Sequence, residues 1–123
     1  MRKSGFENRI GKLLKKNGIT LFTVDKIDYN IPKRYTPDFK VGDMYIETKG
    51  YFRPSDRTKM RHVKLCNPEL DIRLWFQKDE WLDPKTKATR YSEWAEKYGF
   101  PFHVGEKFPE HWFEEMRNDC LND

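Results

Sequence analysis

Four side chains in this sequence can do chemistry together: Glu7, Asp38, Glu47 and Lys49. Asp38 follows Pro37, and Glu47-Thr48-Lys49 ends a run from Met44 that has the composition of a β-strand. Residues two apart in a strand share a face, so Glu47 and Lys49 project together, with Asp38 delivered by the preceding segment. Carboxylate oxygens are natural ligands for a hard divalent ion such as Mg2+, and Mn2+ is expected to serve as well. The backbone carbonyl of Thr48 adds a further oxygen to the set. One or two such ions can activate a water and neutralise a leaving oxygen. A lysine beside them can support the charge of a crowded phosphate. The chemistry within reach is metal-assisted phosphodiester hydrolysis.

Each residue also has a plainer role. Glu7 stands three after Ser4 in the S-x-x-E pattern of a helix capping box. It also shares a helical side with Ile10 and Leu14, where a carboxylate needs a partner and a metal would serve. Asp38 can stabilise a turn after Pro37. Glu47 and Lys49 can be solvent-facing strand charges. The bare pattern of P-D, a spacer and E-x-K is short, so its context decides it.

The elements that must position these residues follow from periodicity. Residues 4–16 read as a helix with Phe6, Ile10, Leu13 and Leu14 as its buried stripe, stopped at Asn17-Gly18. Two β-like runs, 20–24 and 26–31, end at Pro32, and 33–37 reads as a basic loop leading to Asp38. A turn at Val41-Gly42-Asp43 precedes the strand that carries Glu47 and Lys49. Ser55 or Asp56 caps a helix reaching about Cys66, which Asn67-Pro68 stops. Residues 71–77 alternate Ile72, Leu74 and Phe76 against Arg73 and Trp75, the pattern of a strand. A helix from about 89 to 98, a strand near Phe102 and a helix from Pro109 to about Arg117 complete the chain. Helices before, between and after strands predict an α/β (α+β) fold, a mixed central sheet flanked by helices.

The chain has 123 residues, enough for one core, and is read as a single domain over 1–123. Charged residues make up 36% and aromatics 15%, and that aromatic content excludes a disordered chain of similar charge. Charge is unevenly placed: through Lys64 there are 16 Lys/Arg against 7 Asp/Glu, and from Leu65 onward 8 against 13. A basic half on a folded domain suits a polyanion, although a solvated surface gives the same count. Cys66 and Cys120 form no disulfide or zinc pattern. The sequence has neither a membrane-spanning run nor a signal peptide, so a soluble, cytoplasmic protein that is not secreted is expected.

In several separated segments the sequence resembles phage endonuclease I of the T-seven type. They include Ser4-Gly5-x-Glu7, Lys26-Ile27-x-Tyr29-x-Ile31-Pro32, Tyr35-Thr36-Pro37-Asp38-Phe39 and Glu47-Thr48-Lys49-Gly50. Ser55-Asp56-Arg57, Pro68 to Arg73 and Glu96-Lys97-x-Gly99 extend the likeness, which runs from about Ser4 to Glu114. The resemblance implies a Holliday junction resolvase with the restriction-endonuclease-like fold. It implies Asp38 and Glu47 as metal ligands, Glu7 at a second metal position and Lys49 as the catalytic lysine. It also implies an intertwined, domain-swapped homodimer. Residues 20–32 would be the β-bridge between its halves, and Glu7 would cross into the partner's site. Branched DNA, above all four-way junctions, would be cut by paired nicks. The sequence departs from the family in a shorter segment between Ile31 and Tyr35, a nearly absent N-terminal extension and a mildly acidic tail over 117–123. Those departures bear on junction affinity, not on the catalytic set.

Arg53, Arg57, Lys59, Arg61 and Lys64 follow the catalytic strand, and Lys33 and Arg34 precede Asp38. They read as phosphate contacts that position DNA without reading sequence, against the alternative of a solvated helix face. His62 and Cys66, four apart, lack further metal ligands, and His103 and His111 show no partner pattern. Trp75, Trp94 and Trp112 read as core, with Trp81 the least settled. Two rival functions stay open: another nuclease of this fold (nicking, homing or mismatch type), and a non-catalytic junction-binding module.

Overall fold

The computed structural model describes residues 4–29 and 33–114, without the side chains of Asp28, Tyr29 and Lys33. The end of the expected bridge at Pro32, the last helix beyond Glu114, Cys120 and the acidic tail lie outside the described residues.

Helix α1 (Gly5–Lys16) starts where the Ser4 hydroxyl accepts the Glu7 N–H at 3.0 Å, as the sequence predicts. It stops at Asn17, and Gly18 takes φ +75°, a left-handed conformation that costs glycine nothing. Phe6, Ile10 and Leu14 form its buried face.

Strands β1 (Ile27–Tyr29) and β2 (Lys33–Tyr35) pair antiparallel as a two-stranded sheet. This corrects two expectations. Residues 33–35 are strand rather than loop. Residues 20–24 form no strand among the described residues, where Phe22 makes one isolated bridge to Lys40. The basic composition of 33–37 concealed a strand because Tyr35, its one large apolar residue, points into the core at 2% exposure.

The main sheet has the order β3 (Phe39–Val41), β4 (Met44–Lys49), β5 (Asp71–Phe76) and β6 (Phe102–Val104). β3 pairs antiparallel with β4 through a turn at Gly42 (φ +58°). β4, β5 and β6 are parallel, joined by α2 (Pro54–Cys66) and α3 (Tyr91–Lys97) as crossover helices. Residues 110–114 are again helical.

Helices cover both faces of the sheet. Ile72, Leu74 and Phe76 meet Met60 and Val63 of α2 and Tyr91 and Trp94 of α3, with Phe52 edge-on to Phe76, Tyr91 and Trp94. On the other face Phe39, Met44, Ile46 and Trp75 meet α1, Trp112 and Phe113. Trp75 therefore is fully buried although it alternates with the inward set, because this strand has no solvent side. The mixed sheet flanked by helices is as expected.

The start of α2 is a further correction. The N-cap is Arg53, with Pro54 as first helical residue, where its missing N–H costs nothing. Asp56 sits two residues further in and reaches back, accepting the Arg53 N–H at 2.9 Å. That placement turns Asp56 toward the end of β4.

Candidate active site

β3 stops at Phe39, opposite Ile46, while β4 continues to Lys49. Beyond that point no strand among the described residues lies beside that edge of β4, and Asp38 fills the gap with its side chain. One carboxylate oxygen, Oδ2, accepts both the Thr48 N–H and the Thr48 hydroxyl, each at 2.8 Å. In an extended strand a residue's N–H and C=O point to the same edge. The neighbouring carbonyl of Lys49 faces the other way, accepting from Gln77 at 3.0 Å. The Thr48 carbonyl is thus directed to the edge that Asp38 occupies.

Glu47 and Lys49 share the opposite face from Thr48, the one beneath α2, because Glu47 is in register with Leu74 and Lys49 with Phe76. Glu47 is 6% exposed. Its Oε2 accepts the hydroxyl of Tyr35, and its Oε1 lies 3.9 Å from the Lys49 ammonium. Burial is the main cause that pushes the Glu47 carboxyl up to about 8, with the Asp38 charge adding to it and Lys49 opposing. Burial also raises the Tyr35 hydroxyl well above its ordinary value, reinforced by the charge of Glu47. Tyr35 is therefore a firm donor to Glu47 and fixes its orientation.

Lys49 is held from the far side. Asp56 Oδ1 lies 3.2 Å from its ammonium while Oδ2 caps Arg53, so one carboxylate ties β4 to the first turn of α2. Sequence reading treated Asp56 as a helix cap and Tyr35 as part of a motif, and missed both as supports. Their only signal was the matched segments in which they lie. Replacing Asp56 with Asn keeps an acceptor for Arg53 but removes the charge facing Lys49. Turnover is expected to fall by about 10- to 100-fold, the usual effect of removing a supporting partner, with KM little changed. Single-turnover kinetics check this, and unchanged turnover would assign Asp56 to capping alone.

Two carboxylates beside each other in a buried edge, one of them with its proton affinity raised, call for a cation or a shared proton. Asp38, Glu47 and the Thr48 carbonyl are all hard oxygen donors, and this set fits a divalent ion. Among the described residues no third His, Cys, Asp or Glu joins them in a metal-sized group. Among these residues Glu7 is not grouped with Asp38 and Glu47. It lies in the first turn of α1, which packs on the sheet face away from Glu47.

The basic residues divide into two groups. Lys59 lies 6.0 Å from the Tyr35 ring, on the flank of α2 that faces Glu47 and Lys49. Arg57 donates to the Phe52 carbonyl at 2.9 Å, and Arg61 lies 4.3 Å above the Tyr98 ring, on the flank toward α3. Lys64 is tied to the Gly99 carbonyl at 2.5 Å and lies over Phe100. Arg53 lies over the exposed ring of Tyr51, and Arg34 is exposed. Lys33 contributes a backbone position in β2, its side chain being outside the described residues. Trp81 is no open stacking platform, since Arg90 covers it at 4.1 Å. Trp75, Trp94 and Trp112 are core, as read from the sequence.

A mixed sheet with a carboxylate pair and a lysine at the free edge of one strand is the equipment of a nuclease. The family model for phage endonuclease I matches residues 1–123, and the chain belongs to that family. It is 39% identical over 105 residues to endodeoxyribonuclease 1 of Enterobacteria phage T3, covering 81% of this chain and 69% of that protein. It is 34% identical over 122 residues to endonuclease I of Escherichia phage T7, covering 95% and 81%.

Proposed function

We propose that this chain is a DNA endonuclease that cuts branched DNA, four-way junctions above all, by divalent-ion-dependent hydrolysis. The observation that carries the chemistry is the Asp38–Glu47–Lys49 cluster at the free edge of β4. The DNA substrate is drawn from the relative named as an endodeoxyribonuclease and from the basic N-terminal half. No helix among the described residues is long and apolar enough to cross a membrane, in keeping with work on DNA inside the host cell.

Asp38, Glu47 and the Thr48 carbonyl would hold Mg2+ or Mn2+, which supplies water activation and charge neutralisation at the leaving oxygen. Lys49 donates from its ammonium to a non-bridging phosphate oxygen, where negative charge grows in the transition state. Asp56 keeps that ammonium aimed, and Tyr35 keeps Glu47 in one rotamer. Asp38 is fixed by its two bonds to Thr48, so the site is organised before substrate arrives.

The restriction-endonuclease-like class and an intertwined homodimer belong to the same proposal, with residues 20–32 as the bridge. Within one chain α1 packs on the sheet face away from Glu47, and a crossing α1 would bring Glu7 to the partner's site. Mixing Glu7→Ala chains with Asp38→Ala chains tests the crossing. If Glu7 crosses, one site of each mixed dimer has both substitutions and the other is intact, so nicking returns. Should the mixture stay inactive after co-refolding, the crossing is wrong.

Substrate choice is tested by incubating a labelled four-way junction and a linear duplex of the same sequence with Mg2+, then with Ca2+. Paired nicks confined to the junction are expected in Mg2+. Equal cutting of the duplex would overturn the branch preference, and tight binding without cutting would favour a non-catalytic module.

A further inference from the structure

Helix α2 separates two different surfaces. Successive helical residues turn by about 100°, so Lys59 and Arg61 point about 200° apart. Met60 and Val63 face the core between them. Asp56 and Lys59 face Lys49 and Tyr35. Arg57 and Arg61 face the other way and, with His62, Leu65, Trp94 and Tyr98, line an open groove of about 320 Å³ between α2 and α3.

The chemistry of this groove is specific. Among the described residues no acidic side chain lines it, and neither Arg57 nor Arg61 pairs with a carboxylate. Both guanidinium groups are nonetheless held in place. Arg57 is bonded to the Phe52 carbonyl at 2.9 Å, and the Arg61 guanidinium carbon lies 4.3 Å from the centre of the Tyr98 ring. An arginine fixed by a ring or a carbonyl loses little further entropy when its remaining N–H groups grip a phosphate. Thr58 and His62 add further polar atoms, and Leu65, 70% exposed, offers apolar contact to a sugar or base. An anionic, partly apolar polymer fits such a groove, and for a nuclease that polymer is DNA.

We propose that the α2–α3 groove is a second DNA-binding site, for the backbone of a DNA segment other than the one being cut. The helix between the two surfaces is about 10 Å across. The two surfaces face opposite sides of α2, and duplex DNA is too stiff to bend round one helix. A straight duplex along the catalytic edge therefore leaves the groove empty, whereas DNA that branches around α2 fills both. The groove thereby accounts for branch selectivity, and in that respect it rests on the proposed substrate.

Two measurements test it. The first is calorimetric titration in Ca2+ with a duplex of about ten base pairs, one helical turn and too stiff to bend round the helix. Wild type is expected to take two duplexes per chain, and the double variant Arg61→Gln, His62→Gln only one. Arg61→Lys, which keeps the charge, should keep the second duplex at reduced affinity. One duplex per chain in wild type, or a second duplex indifferent to the double variant, overturns the proposal. The second is Kd for a four-way junction against a long linear duplex. The double variant should weaken junction binding about tenfold and reduce its salt dependence by a log–log slope of about 0.9 per lost contact. Equal weakening on both substrates would place the groove on the cleaved duplex and overturn the inference. If wild type itself fails to prefer the junction, the branch-cutting function falls, while the stoichiometry still decides the groove.

Discussion

Asp38→Asn is expected to lower cleavage by at least about a thousand-fold, about 4 kcal/mol of transition-state stabilisation, while leaving the fold and DNA binding in place. The asparagine oxygen can still accept the Thr48 N–H and hydroxyl, both at 2.8 Å from the native carboxylate. What it loses is the charge beside Glu47. Asp38→Ala removes charge and acceptor together. It leaves two Thr48 donors without their partner and should cost a further 1–3 kcal/mol, roughly, of stability. Nicking of a labelled junction in Mg2+, binding in Ca2+ and urea unfolding of both variants separate these effects. Cleavage by Asp38→Asn within tenfold of wild type would remove Asp38 from the catalytic set.

Glu47→Gln is expected to stabilise the metal-free protein at alkaline pH while abolishing activity. The Glu47 carboxyl is raised from its ordinary value of 4.5 to about 8, so the folded state holds its proton more tightly than the unfolded state. Its contribution to stability is complete below pH 4.5 and is lost as pH rises through about 8. In EDTA the wild-type Tm should fall over this interval, and the variant, which has no proton there to lose, should lack that slope. At pH 8 the difference should be on the order of 3 kcal/mol, since one pKa unit is about 1.4 kcal/mol and part of the shift is relaxed by neighbouring groups. For a chain of this size that is roughly 10 °C in Tm. Mg2+ should restore wild-type stability by occupying the carboxylates in place of the proton, and should do much less for the variant. A wild-type Tm that stays flat between pH 5 and 8 in EDTA contradicts the picture of a strained acidic pair.

The two variants explore one cause. A buried edge with two acids is unfavourable unless a cation or a proton sits between them, and the proposed function reserves that place for a divalent ion.

Local signals in the sequence carried much of the fold. The stripe of Phe6, Ile10 and Leu14, the Ser4 cap, the Asn17-Gly18 stop and the alternation of Ile72, Leu74 and Phe76 are all short-range. Each is as expected in the structure. Residues 33–35 were hidden because a three-residue strand rich in charge shows no alternation, and their pairing with 27–29 is decided by tertiary contacts. Trp75 read as core from its size, although its alternation with Ile72, Leu74 and Phe76 placed it on the outer side. Its full burial follows from a second helical layer, which only the assembled sheet supplies.

The same division holds at the candidate site. The sequence by itself determined that Asp38, Glu47 and Lys49 are present and that the last two share a face, because strand periodicity needs no long-range information. Only the tertiary structure decided that β3 ends one residue short of Asp38, leaving an edge on which that carboxylate caps Thr48. It also decided that Tyr35 and Asp56, 12 and 9 residues from Glu47 in the chain, close on Glu47 and Lys49. Glu7 remained on the other side of the sheet, because α1 buries its apolar stripe there. Proximity between separate segments is set by which apolar faces pack together, and no spacing along one chain encodes that directly.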